Sequence, residues 1–170
     1  MTENIGGSTI GFGGGCHWCT EAVFQGLRGV SKVEQGFIQS RAPYDSFSEG
    51  VIVSFDPDVI SLMVLTDVHL RTHASGADHS MRSKYRSAIY VTSAAQRTDS
   101  EMVLKELQST FDTPRITKVL ELEAFKASEP SFQNYYKSGP ERPFCKTYIN
   151  PKLARMRKLY ADFLVCGHSV

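Results

Sequence analysis

A cysteine that follows three consecutive glycines is the residue of this sequence best suited to chemistry. Cys16 comes directly after Gly13, Gly14 and Gly15, and the amphipathic pattern behind it is typical of a helix. The cysteine should therefore lie where unpaired backbone N–H groups and the positive end of a helix dipole converge. That position lowers the thiol pKa, and the glycines let the backbone approach a substrate closely. The sequence predicts a nucleophilic thiolate at Cys16.

A second cysteine, Cys19, gives the C-x-x-C spacing of thioredoxin-like redox motifs. The glycine run before Cys16 and the absence of a regular βαβ rhythm count against that class. A zinc site has weak support, because zinc takes about four ligands and no second C-x-x-C pair occurs in the sequence. A phosphate-binding loop would need a Gly-Lys-Ser/Thr ending, which is missing. A thiol–disulfide oxidoreductase that uses Cys16 and Cys19 stays open as an alternative.

Other residues carry weaker signals when each is taken singly. Trp18, the only tryptophan, would either pack in the core or wall a pocket for a small apolar group. Cys145 follows Pro143 in a predicted loop, ahead of a strand-like segment, and is a reasonable resolving thiol for Cys16. Cys166 stands near the C-terminus, and we interpret it as a bystander.

Composition narrows the class of protein. The chain has 170 residues, enough for one sizeable domain, with 41% hydrophobic and 22% charged residues, as in ordinary globular proteins. The formal net charge of +1 points to neither nucleic acid nor a membrane surface. The N-terminal residues lack the basic start and apolar run of a signal peptide, so we expect a cytoplasmic protein. Four cysteines are too few for a disulfide scaffold at this length.

Strands and helices alternate without a regular βαβ rhythm, which favours a single α+β domain over residues 1–170. A polar loop is predicted over 74–84. Strands are predicted at 9–12, 30–37, 50–55, 85–91 and 116–122, and helices at 20–27, 60–70, 93–111, 131–136 and 151–163.

The segment 13–24, Gly-Gly-Gly-Cys-His-Trp-Cys-Thr-Glu-Ala-Val-Phe, closely resembles the active-site motif of the A-type peptide methionine sulfoxide reductases. His17 stands where that family usually has phenylalanine. The resemblance continues in Tyr-Arg-Ser-Ala-Ile-Tyr at 85–90 and in the segment 144–153, which is similar to the one that carries the family's resolving cysteine. It implies a mixed β-sheet with flanking helices, a two-layer sandwich of ferredoxin-like type.

The resemblance also implies catalytic roles. A sulfoxide needs a soft nucleophile at sulfur and an acid at oxygen, and these would be Cys16 and Glu49. Tyr44 and Tyr85 would donate hydrogen bonds to the same oxygen. Attack would leave a sulfenic acid on Cys16, with which Cys145 would condense to a disulfide.

Substrate-binding residues follow from the same resemblance. Trp18, with His17 and Gly15, would form the pocket for the substrate methyl group. The family's aspartate upstream of the second tyrosine falls in register on Ser80, and Asp78 is a nearby carboxylate that could replace it.

The implied partners are methionine sulfoxide, free or in oxidised proteins, with the S configuration at sulfur, and thioredoxin as the external dithiol. No bound cofactor and no metal are expected, nor a nucleic acid or membrane partner, and we expect a monomer. A catalytically impaired redox sensor is a further alternative, prompted by His17 and Ser80.

Overall fold

One six-stranded sheet runs through the structure, a computed structural model that describes residues 8–165. The strands are β1 (Ser8–Gly13), β2 (Val30–Gln39), β3 (Ser48–Phe55), β4 (Ala88–Val91), β5 (Lys118–Glu121) and β6 (Ala124–Ala127). The helices are α1 (His17–Gln25), α2 (Leu62–Thr72), α3 (Ala94–Gln108), α4 (Tyr135–Ser138) and α5 (Asn150–Leu159). Shorter helical turns cover Pro130–Phe132, Cys145–Ile149 and Ala161–Phe163.

The strand order is β5-β4-β1-β3-β2-β6. Strands β1 to β4 are joined through α1 and α2 as βαββαβ, and their antiparallel pairing is that of a ferredoxin-like split βαβ fold. Strand β5 adds parallel to β4 at one edge, and β6 adds antiparallel to β2 at the other. The predicted α+β class and ferredoxin-like sheet are confirmed.

The two faces of the sheet bury different residues because successive side chains of a strand point to opposite faces. Phe12, Val51 and Ile89 face the helices and pack with Phe24 of α1 and Leu65 of α2. Alternating residues of strands β2 to β5 form a smaller cluster on the other face, made of Ile38, Ile52, Ala88, Tyr90 and Leu120. The helices therefore form one layer and the sheet the other.

Close packing explains two glycines of the turn between β1 and α1. A Cβ on Gly13 would lie 2.9 Å from the carbonyl oxygen of Arg86, and one on Gly14 would lie 2.4 Å from the ring of His73. Real Cβ atoms do not approach other atoms so closely, so only glycine lets the strand end directly under the helix start.

Several predicted boundaries are wrong. Helix α1 begins at His17 and not at residue 20, β4 begins at Ala88 and not at residue 85, and the edge strand β6 was not predicted. The segment 145–149 was expected to be a loop and a strand, but it is a helical turn that continues into α5. Cys145 and Ile149 are four residues apart and both are buried, so packing of one helical face outweighs the strand propensity of Thr-Tyr-Ile.

Among the described residues, none of the helices has the length and apolar character needed to cross a bilayer.

Candidate active site

Cys16 is the residue that precedes the first turn of α1, and its side chain is half-buried. A hydrogen bond from the thiol of Cys19 lowers the pKa of Cys16, and the backbone N–H groups of Trp18 and Cys19 lower it further. Burial and the charge of Glu49 oppose this shift. The hydrogen bonds from the Cys19 thiol and from the helix start therefore lower the pKa of Cys16 by more than burial raises it, and they favour the thiolate form.

Glu49 lies beside this cysteine because β3, which pairs with β1, begins next to the start of α1. Its Oε2 accepts a hydrogen bond of 3.2 Å from the backbone N–H of His17, the first residue of the helix. The carboxyl side chain is only 12% exposed. Its own backbone N–H donates to the carbonyl oxygen of Lys84 at 2.9 Å, which holds β3 against the segment before β4.

His17 is buried between the sheet and this carboxyl. Its Nδ1 donates to the carbonyl oxygen of Gly36 at 3.1 Å and lies 3.8 Å from Oε2 of Glu49. The ring of Phe37, the residue paired with Glu49 across the two strands, meets the imidazole edge-on at 5.3 Å between centroids. The imidazole thus packs beside the carboxyl as well as next to Cys16.

Trp18 belongs to an aromatic cluster, which we define as Trp18, Phe132, Tyr135 and Phe144. Tyr135 stacks on the indole with ring centroids 4.0 Å apart, and Phe144 meets it edge-on at 5.4 Å. Phe132 completes the cluster at 6.2 Å from the indole and is 45% exposed. Sequence analysis missed Tyr135 and Phe144, although the concentration of aromatic residues between 132 and 148 was a usable signal.

A buried carboxylate, Glu21, holds this cluster in place. Its two oxygens accept hydrogen bonds from the backbone N–H groups of Asn134 and Tyr135, at 2.9 and 3.0 Å, and from the side chain of Gln35 at 3.0 Å. Burial raises the pKa of Glu21, whereas these hydrogen bonds lower it. The residue fastens α1 to the start of α4 and so positions Tyr135 against Trp18.

Two cationic or basic side chains that sequence analysis missed hold the glycine turn. Nε2 of His69 donates to the carbonyl oxygen of Gly13 at 2.7 Å. One guanidinium nitrogen of Arg82 donates both to the carbonyl oxygen of Gly14 and to that of Tyr85, each at 2.9 Å. The turn before Cys16 is therefore tied to α2 and to the loop that carries Tyr85.

The two predicted tyrosines lie in different places. Tyr85 is joined to the glycine turn through Arg82, and the ammonium of Lys84 lies 5.1 Å from its ring centroid. A hydrogen bond to Tyr85 raises the pKa of Lys84, and the charges of Glu49 and Cys16 raise it further, so Lys84 is a cation of this site that sequence analysis missed.

Tyr44, in contrast, packs on the sheet face that points away from α1, against the cluster that contains Ile52 and Tyr90. The guanidinium of Arg86 lies 5.8 Å from its ring centroid. A tight turn, in which the N–H of Ser40 donates to the carbonyl oxygen of Tyr44, folds this short loop back onto the sheet. The structure does not bring Tyr44 into the group around Cys16.

Asp78 and Ser80 are exposed in the loop between α2 and β4. Burial lowers the pKa of Arg82, and the charge of Asp78 opposes that shift, so the carboxylate acts on the guanidinium that holds the glycine turn. No described hydrogen bond joins Ser80 to Cys16 or Glu49. Gly15 lies in the turn itself, next to His73.

The described thiols Cys16, Cys19 and Cys145 are all free, and they share one apolar cluster with Ile149. Cys145 is fully buried, and its thiol donates to the carbonyl oxygen of Gly139 at 3.4 Å. Cys166 lies outside the described residues. Over residues 8–165 no three His, Cys, Asp or Glu side chains gather closely enough to hold a metal ion.

Lys152, on α5, lies near the thiol of Cys19. Lys152 donates from its ammonium to the carbonyl oxygen of Thr72. Burial lowers the pKa of Lys152, and the negative charges of Cys19 and Cys16 raise it. A small cavity is lined by Lys152 together with Cys19, His73 and the glycine turn.

Comparisons with known proteins show which family this chain resembles. The family model described as peptide methionine sulfoxide reductase matches residues 8–163. The peptide methionine sulfoxide reductase MsrA of Deinococcus radiodurans is 36% identical, over 90% of this chain and 82% of that protein. The MsrA of Trichodesmium erythraeum is 33% identical, over 91% of this chain and 96% of that protein.

Solved structures share the fold. Mxr1 from Saccharomyces cerevisiae in its reduced form superposes with a TM-score of 0.71 at 22% identity, covering 87% of this chain and 94% of that one. Methionine sulfoxide reductase A of Corynebacterium diphtheriae superposes with a TM-score of 0.69 at 21% identity, covering 82% of this chain and 78% of that one.

Proposed function

Because the chain belongs to the peptide methionine sulfoxide reductase family, we propose that it reduces methionine S-sulfoxide to methionine through attack by Cys16. The substrate is either free or part of an oxidised protein. The observation that carries the proposal is the meeting of Cys16 and Glu49 at the start of α1. At this point the helix start stabilises the thiolate of Cys16, and the carboxyl of Glu49 accepts the N–H of His17, the first residue of the helix.

In the first step the Cys16 thiolate takes the sulfoxide oxygen, and methionine leaves as a neutral thioether. The sulfur–oxygen bond of the substrate breaks, a proton adds to the oxygen, and Cys16 becomes a sulfenic acid. Glu49 is the proton donor of this scheme, because its Oε2 accepts the hydrogen bond from His17 while its Oε1 has no described hydrogen bond. Tyr85, whose carbonyl oxygen accepts from the same Arg82 nitrogen as that of Gly14, donates a hydrogen bond to the oxygen in this scheme.

The aromatic cluster receives the substrate methyl group. Trp18 and Tyr135 form a flat apolar surface beside Cys16. Phe132 is partly exposed at the edge of this surface, so a peptide can reach the surface from solvent. Aromatic surfaces bury apolar groups favourably and contact sulfur well. His17 and Gly15 contribute the buried side of this pocket.

The sulfenic acid then returns to a thiol in two steps. Cys145 forms a disulfide as the resolving cysteine, and thioredoxin reduces that disulfide through thiol–disulfide exchange. One solved structure of similar fold shows Mxr1 from Saccharomyces cerevisiae in complex with Trx2, with a TM-score of 0.59, which supports this partner. A reducing compartment such as the cytoplasm suits the cycle, and a monomer is sufficient for it.

The direct test is turnover of methionine S-sulfoxide and R-sulfoxide, free and in a peptide, with dithiothreitol as reductant. We expect methionine to form from the S epimer only, and no activity from folded Cys16→Ser protein. Folded, reduced protein that leaves both epimers unchanged would contradict the proposal. Reduction of a protein disulfide at a comparable rate would instead favour a thiol–disulfide oxidoreductase based on Cys16 and Cys19.

A further inference from the structure

A cavity of about 530 Å³ lies at the edge of the sheet where β4 and β5 begin. It is formed by the loop after β2, the loop between α2 and β4 and the segment before β5. Gly13, the last residue of β1, pairs with Ala88, the first residue of β4, so the glycine turn before Cys16 lies at the same edge. The volume is within the range of pockets that bind small ligands.

Positive charge dominates the lining of this cavity. Four cationic side chains line it, those of Arg82, Arg86, Arg115 and Lys118. In the described part of the chain one carboxylate, that of Asp78, lines it as well, and none of the four cations forms an ion pair with a carboxylate. We call this space the cationic cavity, and its unbalanced charge attracts an anion.

Arg86 is the buried cation of the cavity and is only 7% exposed. Its Nη2 donates to the carbonyl oxygen of Ser46 at 2.7 Å and to the hydroxyl oxygen of Ser46 at 2.9 Å, and its Nη1 donates to the hydroxyl of Tyr90 at 3.3 Å. These acceptors are neutral, so they fix the guanidinium in place without balancing its charge. A buried charge without an opposite charge is costly, and an anion in the cavity would reduce that cost.

Tyr44 forms one wall of the cationic cavity. Its ring centroid lies 5.8 Å from the guanidinium carbon of Arg86 and 5.9 Å from the ammonium of Lys118, so one aromatic ring contacts two cations. The ammonium of Lys118 has no described hydrogen bond, and its three N–H groups can be donated to a ligand. The tyrosine that was predicted to act in catalysis thus lies in a second, cationic site.

Arg82 connects the cavity to the active site. Its guanidinium donates to the carbonyl oxygen of Gly14 at 2.9 Å. Gly14 precedes Cys16 by two residues, so at most about 7 Å separates their Cα atoms. An extended peptide advances about 3.3 Å per residue, and a side chain a few residues from a methionine sulfoxide at Cys16 is therefore within reach of the cavity.

We propose that the cationic cavity binds the carboxylate of an Asp or Glu side chain that stands two to five residues from the methionine sulfoxide in an oxidised protein. The proposal rests on the reductase function proposed above and names the substrates that the enzyme prefers. Guanidinium groups suit this ligand, because their N–H groups match the two oxygens of a carboxylate.

The kinetic test uses peptides with one methionine S-sulfoxide and one Glu, placed in turn two to five residues to either side of it. Each peptide has a partner with Gln at the same place. The kcat/KM of both is measured with dithiothreitol at low salt. We expect the Glu peptide to exceed its Gln partner by about tenfold at the best position, the size of a hydrogen bond between charged groups, and the ratio to fall as sodium chloride is added.

Variants test whether the preference comes from this cavity. Lys118→Met should lower the Glu/Gln ratio by about threefold or more, and Asp78→Asn should raise it, because the first removes a cation and the second removes the carboxylate. Lys105→Met, at an exposed lysine of α3 away from the cavity, is the matched control and should retain the ratio. Each ratio compares two peptides on one variant, so a general loss of activity cancels.

A binding measurement runs in parallel and needs no turnover. Fluorescence polarisation gives the Kd of the best Glu and Gln peptides for folded Cys16→Ser protein, with inorganic phosphate as a competing anion. The Glu peptide should bind about tenfold more tightly, and phosphate should weaken its binding more than that of the Gln peptide.

Equal kcat/KM and equal Kd within every Glu and Gln pair would overturn the proposal. A ratio that Lys118→Met and Asp78→Asn leave unchanged would also overturn it, because the preference would then arise elsewhere. Failure of the reductase function has a different signature, in which no peptide releases methionine while the Glu peptide still binds more tightly than its Gln partner.

Discussion

The rings of Trp18 and Tyr135 stack with centroids 4.0 Å apart and planes within 5° of each other. The two residues are far apart in the sequence, and Glu21 joins them by accepting the backbone N–H of Tyr135 from within α1. An aromatic surface near Cys16 is thus built by a helix and by a distant segment. The stacked pair should therefore contribute to substrate binding.

Tyr135→Leu should raise the KM for methionine sulfoxide by about three- to tenfold, because a stacked aromatic pair contributes roughly 0.5–1.5 kcal/mol beyond its buried area. The kcat should change much less, since the residue touches neither Cys16 nor Glu49 among the described contacts. Tyr135→Phe is the matched control and should retain the KM of the parent. Steady-state kinetics with a peptide substrate checks this, and an unchanged KM in Tyr135→Leu would remove Tyr135 from the pocket.

Glu49→Gln should lower kcat by about a hundredfold or more, the size expected when a general acid is lost. The amide oxygen can still accept the hydrogen bond from the backbone N–H of His17, so the start of α1 should remain intact. Glu141→Gln, at an exposed carboxylate, is the control and should leave kcat unchanged. Full activity in folded Glu49→Gln protein would mean that the proton comes from another group.

Cys19→Ala should raise the pKa of Cys16, because it removes the hydrogen bond that contributes most to the lowered value. Alkylation by iodoacetamide requires the thiolate, so its rate rises with pH through the pKa of Cys16. A raised pKa moves that curve to higher pH and slows the reaction at neutral pH. Cys19→Ser keeps a donor and should shift the curve less.

The measurement is the initial alkylation rate of the peptide that contains Cys16, followed by mass spectrometry across the pH range. If the plots of alkylation rate against pH were the same for Cys19→Ala and the parent, the backbone N–H groups of residues 18 and 19 alone would account for the lowered pKa of Cys16.

Acid should destabilise the fold through His69. Burial lowers the pKa of His69 to about 4, and its Nδ1 has no hydrogen-bond partner among the described residues. The neighbouring charged or titratable groups are His73, which follows α2, Arg82 and Lys152, and they add no negative charge to stabilise an imidazolium. The unfolded chain, in contrast, titrates near the ordinary histidine pKa.

Between these two pKa values the unfolded state binds more protons, so stability rises with pH and is lost as pH falls from about 6.5 toward 4. The loss at about pH 5 should reach roughly 2 kcal/mol relative to neutral pH, from 1.36 kcal/mol per pKa unit. Urea unfolding at the two pH values measures it. His69→Gln keeps a donor for Gly13 and should flatten the dependence, and a slope that stays unchanged would assign the effect to other groups.

Local patterns were enough to predict the parts of this protein whose neighbours are close in the sequence. The glycines before Cys16, the helix after it and the alternation along β3 are local signals, and the sheet that they imply is present. The ferredoxin-like order of β1 to β4 followed from the family resemblance of those segments. Cys145 shows the limit of such reasoning, because its segment has strand-like residues but a buried helical face.

The tertiary structure alone decided which side chains meet. Tyr135 reaches Trp18, Arg82 reaches the turn at Gly14, and Tyr44 turns to the far face of the sheet. None of these contacts leaves a periodic mark in the sequence, because each depends on how distant segments pack against the sheet and not on the preferences of neighbouring residues. The amino-acid sequence was therefore enough to propose Cys16 as the nucleophile and Glu49 as its acid, and packing determined which aromatic, cationic and thiol side chains surround them.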